Sequence, residues 1–217
     1  MDGEEPQDNS GLVDRFVLLG AITARLHLQS QNWVRPPGFV RKVWNFDTTL
    51  GAHPHWGDWR NALGLGAEGQ RVLGRCIDLL HRQLEEFGSD SGRFGLVHAD
   101  LRLANLLVKG DRIGVIDFDD CGFCWYLYDF AAAISFIETS PSIPALKDAW
   151  VRGYRQVCAL EADLVEALKM FVMLRRILLT AWIGSHSETP TARELGTGFT
   201  ADSVAMATQY LDGKSPF

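Results

Sequence analysis

The reactive side chains of this 217-residue chain concentrate in two short runs, HADLRLAN and VIDFDD, which carry His98, Asp100 and Asn105, then Asp117, Asp119 and Asp120. Carboxylates and a carboxamide supply the hard oxygen atoms that Mg2+ prefers, and a carboxylate beside them can take a proton from a hydroxyl. That set suits metal-assisted phosphoryl transfer, in which a protein contributes positioning and charge neutralisation rather than covalent chemistry. Asn105 reads as a neutral oxygen ligand and Asp117 as an anionic one, drawn together by a tight hairpin between them. Asp100, five residues before Asn105, reads as the base or orienting group for an incoming hydroxyl. Arg102 is placed to reach the migrating phosphoryl group and offset its charge. His98 reads as scaffold, its ring buried beneath the loop.

Three β-type runs position these groups: Phe94 to Val97, Leu106 to Val108 and Ile113 to Phe118, with Lys109-Gly110-Asp111-Arg112 as the hairpin turn between the last two. Helices surround them. Leu12, Phe16, Leu19, Ile22 and Leu26 recur at helical spacing to about Leu28, with Ser10 as candidate cap. Residues 67 to 87 form a second amphipathic helix with Val72, Cys76, Leu79, Leu80, Gln83, Leu84 and Phe87 on one face. Beyond Trp125 the pattern predicts helices at about 126–139, 144–157, 162–184 and 200–211. Residues 29–60, rich in tryptophan, proline and glycine and without a sustained period, read as an irregular insertion near a site. The expected fold is mostly α with a small β-hairpin element, organised around one core.

With 21 basic against 27 acidic residues and a net charge of −6, the chain lacks the basic surplus of a nucleic-acid-binding face. A cationic substrate is compatible with that charge. Cys76, Cys121, Cys124 and Cys158 are too few and scattered for a disulfide framework, which points to the cytoplasm. The acidic start MDGEEPQDNS is unlike a signal peptide. The most apolar stretch, Met170 to Gly184, falls short of the roughly 20 residues a membrane span needs and is broken by Arg175 and Arg176, which are expected to pair with acidic groups.

Four further patterns read more plainly than they look. Gly64-Leu65-Gly66-Ala67-Glu68-Gly69 matches G-x-G-x-x-G but follows no strand, so it reads as a glycine-rich helix start. Cys121-Gly122-Phe123-Cys124 has no second ligand pair and reads as two thiols. His53 and His55 read as surface residues. Trp33, Trp44, Trp56 and Trp59 fit a core and a substrate-stacking wall equally well.

HADLRLAN followed by VIDFDD, and then by Tyr128-Asp129-Phe130-Ala131, resembles the catalytic loop, metal-binding segment and following helix start of the aminoglycoside phosphotransferase and choline kinase group. That resemblance covers roughly residues 11 to 211. It implies the helical C-terminal lobe of a protein-kinase-like fold, ATP as phosphoryl donor, Mg2+ as cofactor, and a small-molecule hydroxyl or a protein Ser or Thr as acceptor. It implies Asp100 as catalytic base, Asn105 and Asp117 as Mg2+ ligands that also hold the nucleotide, and Asp129 as a group orienting the loop. Asp119, two residues after Asp117, faces the same way if the strand persists, and is a candidate for a second metal or for substrate.

Two departures accompany the resemblance. Position 99 is Ala where the family often has Gly, which matters if that backbone needs positive φ. The family's N-terminal β lobe, with its phosphate-covering loop and nucleotide-gripping lysine, has no counterpart, and Arg41 and Lys42 stand in a non-strand context. The expectation is therefore a catalytic lobe, residues 11–217, behind a polar tail or hinge remnant at 1–10, inactive alone and completed by an N-terminal lobe in a longer parent. A naturally short protein and an unrecognised substitute lobe are the alternatives. In function, a metal-dependent phosphoesterase using His98, Asp100, Asp117 and Asp119, and a non-catalytic kinase-like binding module, stand beside the kinase.

Overall fold

The computed structural model of the chain describes residues 2–7 and 11–215. In chain order its elements are helix α1 (Leu12–Asn32), strand β1 (Lys42–Val43), helix α2 (Phe46–Thr49), helix α3 (Ala67–Phe87), strands β2 (Phe94–Val97), β3 (Leu106–Lys109), β4 (Arg112–Val115) and β5 (Gly122–Trp125), then helices α4 (Tyr128–Ala133), α5 (Ile143–Arg155), α6 (Ala162–Ser185) and α7 (Pro190–Leu211). Single 3-10 turns occupy Trp59–Asn61 and Leu103–Asn105. The architecture is mostly helical with two small sheets. Instead of one core, the chain forms two compact units: residues up to Val43 with Ser89–Leu168, and Trp44–Gly88 with residues from Lys169 onward.

In the first unit β5 lies at the centre of a three-stranded sheet, parallel to β1 and antiparallel to β2. The expected hairpin is the separate β3–β4 pair, in register Leu106↔Val115 through Lys109↔Arg112. Gly110 takes φ +58° at the first central position of its two-residue loop, where a side chain is strained. Glu4 bridges Val108 on the outer edge, so the polar first residues are tied to the hairpin by two backbone hydrogen bonds of 3.0 and 2.8 Å. Strand β4 stops at Val115, three residues short of the expected Phe118, because Asp117 turns into the left-handed region at φ +63°.

Strands β1 and β5 were not expected. Two residues are too short to show alternation, and the Gly-Phe-Cys-Trp of β5 lacks the usual β-branched signature. Lys42 therefore stands in a strand, and Arg41 immediately precedes it, contrary to the non-strand reading.

Helices α1 and α5 approach backbone to backbone. A Cβ on Gly20 would sit 2.1 Å from the Trp150 carbonyl oxygen, and one on Gly153 would sit 1.8 Å from that of Val17. Leu12, Phe16 and Leu19 are buried as expected, and the same stripe continues through Thr23 and His27 rather than Leu26. Helix α1 starts at Gly11 as cap; Ser10, the expected cap, lies outside the described residues. Helix α4 is shorter than expected, since Phe136 at φ +72° ends its run.

In the second unit α3 buries Leu73, Cys76, Ile77, Leu80 and Leu84, a stripe centred further round than the expected face and leaving Val72, Leu79, Gln83 and Phe87 half-buried. Tyr210 of α7 donates to the Gln83 carboxamide oxygen at 2.6 Å. Helix α7 begins ten residues earlier than expected because Thr189 caps it and Pro190 fills its first position; Gly196, at φ 50° and ψ −144°, breaks it. In α6 the consecutive residues Phe171, Val172, Met173 and Leu174 are all buried. Within that apolar run Arg176 donates to Ser203 Oγ (2.8 Å) and the Phe199 carbonyl (3.1 Å) and lies over the Phe199 ring, while Arg175 lies over Trp56. Among the described residues no helix is long and apolar enough to cross a membrane.

Two predictions test this packing. Gly153→Ala forces helices apart at a backbone contact and is expected to cost about 3 kcal/mol in urea unfolding, where an exposed helical Gly→Ala would stabilise. Burial pushes the Cys76 thiol up to about 12 from 9.0. A folded pKa above the unfolded one favours the protonated fold, so the contribution is intact below about pH 9 and is lost as pH rises toward 12. Between pH 9 and 10 unfolding free energy should fall by up to about 1.4 kcal/mol from this group, and Cys76→Ala should flatten that slope.

Candidate active site

The loop between β2 and the Leu103–Asn105 turn is held in an unusual shape by one carboxylate. Asp129, fully buried at the start of α4, accepts the Ala99 N–H on Oδ1 at 2.8 Å and the His98 N–H on Oδ2 at 3.3 Å. Ala99 has φ +67°, so the position does require the conformation that Gly adopts freely, and the methyl group costs roughly 1–2 kcal/mol there. Two charge-assisted hydrogen bonds, from that residue's own N–H and from the N–H before it, offset the strain.

A third donor reaches Asp129 from α1. His27 is 1% exposed; its Nε2 lies 3.0 Å from Asp129 Oδ2 and its Nδ1 3.0 Å from the Tyr154 hydroxyl on α5. Donation to the carboxylate places the proton on Nε2, so in the neutral ring Nδ1 accepts from Tyr154. Burial raises the Tyr154 pKa, keeping the phenol protonated and able to donate. Sequence reasoning passed over His27. The available signal was its place on the apolar stripe Leu12, Phe16, Leu19, Thr23, where a polar ring must find partners.

His98 is buried beneath the loop. Its Nε2 donates to the Ile116 carbonyl at 3.1 Å and its Nδ1 accepts the Asp100 N–H at 3.2 Å, joining the loop to the segment before Asp117. With both ring nitrogens engaged, it is poorly suited to the metal-ligand role that a two-metal phosphoesterase would ask of it.

Asp100 Oδ2 accepts from Asn105 Nδ2 at 2.8 Å and from Arg102 Nε at 3.1 Å, and the same Asn105 nitrogen also donates to the Asp100 carbonyl at 2.9 Å. Asn105 thereby spends its NH2 on Asp100, and its carboxamide oxygen is the atom suited to a cation. The Asn105 backbone carbonyl accepts the Ile116 N–H at 3.0 Å, one rung beyond the β3–β4 ladder, which places Asp117 next in line. Arg102 is a third exposed, with its guanidinium on Asp100.

Asp117 is exposed, and its Oδ1 accepts the Asp119 N–H at 3.4 Å. The strand geometry that would have aimed Asp119 alongside Asp117 is absent: β4 has ended, and Asp119 opens a turn. Asp120 faces Lys42, with Oδ1 2.6 Å from Nζ. Among the described residues no three His, Cys, Asp or Glu side chains gather to hold a metal ion. One carboxamide and one carboxylate nevertheless fit Mg2+, which usually takes one or two protein oxygens and completes its shell with water and substrate phosphates.

The remaining motifs resolve simply. Cys121 and Cys124 are thiols, not bridged, and burial pushes the Cys121 thiol up against the opposing pull of Arg41. His53 is exposed and pairs with Asp47, whose carboxyl that hydrogen bond holds below its usual range. Gly64-Leu65-Gly66 follows a 3-10 turn, with Gly66 capping α3. Trp44 is core, whereas Trp59, 6% exposed, borders a cleft of about 550 Å3 with Phe46, Asp78 and His81.

Truncating His27 leaves Asp129 short of one donor in a water-free site. His27→Ala should lower stability by about 2 kcal/mol in urea unfolding and His27→Gln, which keeps a donor, by less; equal stability of His27→Ala and the parent would contradict this arrangement.

Comparison with known proteins agrees with this geometry. A solved structure of the microcompartment-associated aminopropanol kinase is 48% identical with a TM-score of 0.90, over 100% of this chain and 68% of that one. A solved complex of amicoumacin kinase hAmiN with AMP-PNP, Ca2+ and Ami is 22% identical with a TM-score of 0.72, over 94% of this chain and 63% of the other. The amicoumacin kinase of Bacillus subtilis (strain 168) is 23% identical over 201 residues, 86% of this chain; the chain spans 57% of that relative's length. The model of the Phosphotransferase enzyme family matches residues 1–166, the stretch that holds every side chain of the loop described above, and the chain belongs to that family.

Proposed function

We propose that the protein carrying these residues transfers the terminal phosphoryl group of ATP to the hydroxyl of a small amino alcohol, with Mg2+ as cofactor. The observation that carries this reading is the single connected unit formed by Asp100, Asn105 and the Asn105–Ile116 backbone rung, which sets a carboxylate, a carboxamide oxygen and Asp117 along one short path. The 48% identity to an aminopropanol kinase supports the acceptor class, and the relative bound to AMP-PNP and Ca2+ supports a nucleotide donor with a divalent cation. A net charge of −6 suits a cationic acceptor.

Asp100 orients the acceptor hydroxyl and takes its proton. Asn105 Nδ2 and Arg102 Nε both donate to Asp100 Oδ2 and fix that carboxylate in place. Arg102, partly exposed, can swing toward the phosphoryl group as charge spreads over its equatorial oxygens. Asn105 Oδ1 and Asp117 would hold Mg2+, and Asp119 is the neighbouring carboxylate available to it. The bound cation supplies charge neutralisation for the nucleotide phosphates. The four unbridged thiols support a cytoplasmic setting for this reading. The activity is assigned to the whole protein, since the chain spans 57% of the curated relative.

Steady-state assay of that protein on a panel of amino alcohols, aminoglycosides and peptides tests the reading. Asp100→Asn should lower kcat by about 10²- to 10⁴-fold with little change in nucleotide KM, and Asp117→Ala should abolish turnover at millimolar Mg2+. Undiminished turnover in both variants, or nucleotide-independent phosphate release, would overturn it.

A further inference from the structure

We propose that Arg41 is a positioning residue that sets the cation-binding loop from outside it, an inference that rests on the reading of Asp117 as a cation ligand. The guanidinium holds three carbonyls of one turn: Nε donates to Cys121 O at 2.7 Å, and the terminal nitrogen donates to Phe118 O and, at 3.1 Å, to Asp119 O. These carbonyls lie between the end of β4 and the start of β5, where the Cys121 N–H also donates to Phe118 O at 3.1 Å. A planar fork of several donors can serve this arc; the point charge of a lysine cannot.

The register explains how Arg41 comes to be there. Strand β1 pairs Lys42 with Gly122 and Val43 with Phe123, so the residue before β1 falls beside Cys121. Lys42, on the other side of the pleat, reaches Asp120 instead. Asp117, Asp119 and Asp120 place three carboxylates within four residues, and their repulsion would open the turn. Arg41 and Lys42 bring two positive charges, one through the peptide carbonyls and one through a carboxylate. Of the two, Arg41 governs shape, because it holds backbone on both sides of Asp119 and so fixes the peptide planes that follow the left-handed Asp117. Lys42, half exposed in its ion pair with Asp120, contributes little.

The test is Mn2+ binding to the whole protein in the presence of AMP-PNP, read by electron paramagnetic resonance, with kcat and acceptor KM measured alongside. Arg41→Lys should weaken Mn2+ binding about tenfold and lower kcat while acceptor KM holds, and Lys42→Ala should change binding less than about twofold. Asp117→Asn is the control on the underlying reading and should weaken binding still further. If Asp117→Asn weakens Mn2+ binding and Arg41→Lys does not, the role of Arg41 is overturned alone; if Asp117→Asn binds Mn2+ like the parent, the ligand reading fails first. Should Arg41→Lys not fold, Arg41→Gln, which keeps two N–H donors, is judged by the same titration.

Discussion

The first compact unit depends on one buried negative charge. Asp129 has no contact with solvent and holds His98, Ala99 and His27 through their N–H groups. A carboxylate so placed is costly unless its lone pairs are filled, and losing one donor of such a cluster typically costs about 1–3 kcal/mol. Asp129 itself stands at the start of α4, and its partners come from α1 and the loop after β2, and through His27 from α5. The hub therefore converts the assembly of four separate segments into the shape of one loop.

That shape requires α1 and α5 to lie close enough for His27 and Tyr154 to meet across them. The glycines at 20 and 153 are what permit the approach, since a methyl group at either would enter a backbone carbonyl on the other helix. Packing and polar chemistry are thus coupled at this crossing. Separating the helices would break the His27–Tyr154 hydrogen bond and loosen the third donor of Asp129, while loss of that donor would leave the charge under-satisfied beneath a strained Ala99.

How much of this could be read from the chain depends on the range of the interaction. Strand β2 and helix α3 have the boundaries expected, because alternation and a 21-residue amphipathic period are local signals. The proximity of Asp100 to Asn105 and the hairpin were legible from spacing, and the burial of the His98 ring from its place under the loop. Strand β1 was not, since two residues carry no period. Nor was the partnership of Arg41 with Cys121, 80 positions apart, which exists only through strand register. His27 stood in view on the apolar stripe of α1, but its meaning depends on Asp129, more than a hundred residues away. Asp119 misled for the opposite reason: a local rule was extended past a backbone turn that only the fold dictates.

Two left-handed residues, Ala99 and Asp117, bracket the candidate site, and each is pinned from elsewhere in the chain. Ala99 is held by a buried carboxylate that accepts; the turn after Asp117 is held by a guanidinium that donates. The strain at the two points is of order 1–3 kcal/mol apiece and persists only because such contacts over-determine it. Placing the reactive side chains on strained backbone keeps them from relaxing into the regular ladder that would otherwise claim them: had β4 continued, Asp117 and Asp119 would have alternated with Phe118 on a flat strand. Instead the chain turns at Asp117, and the His98–Ile116 and Asn105–Ile116 bonds tie the residue before it to the loop that carries Asp100. The placement of Asp100, Asn105 and Asp117 is achieved by making each local conformation unfavourable alone and stable only in the complete arrangement.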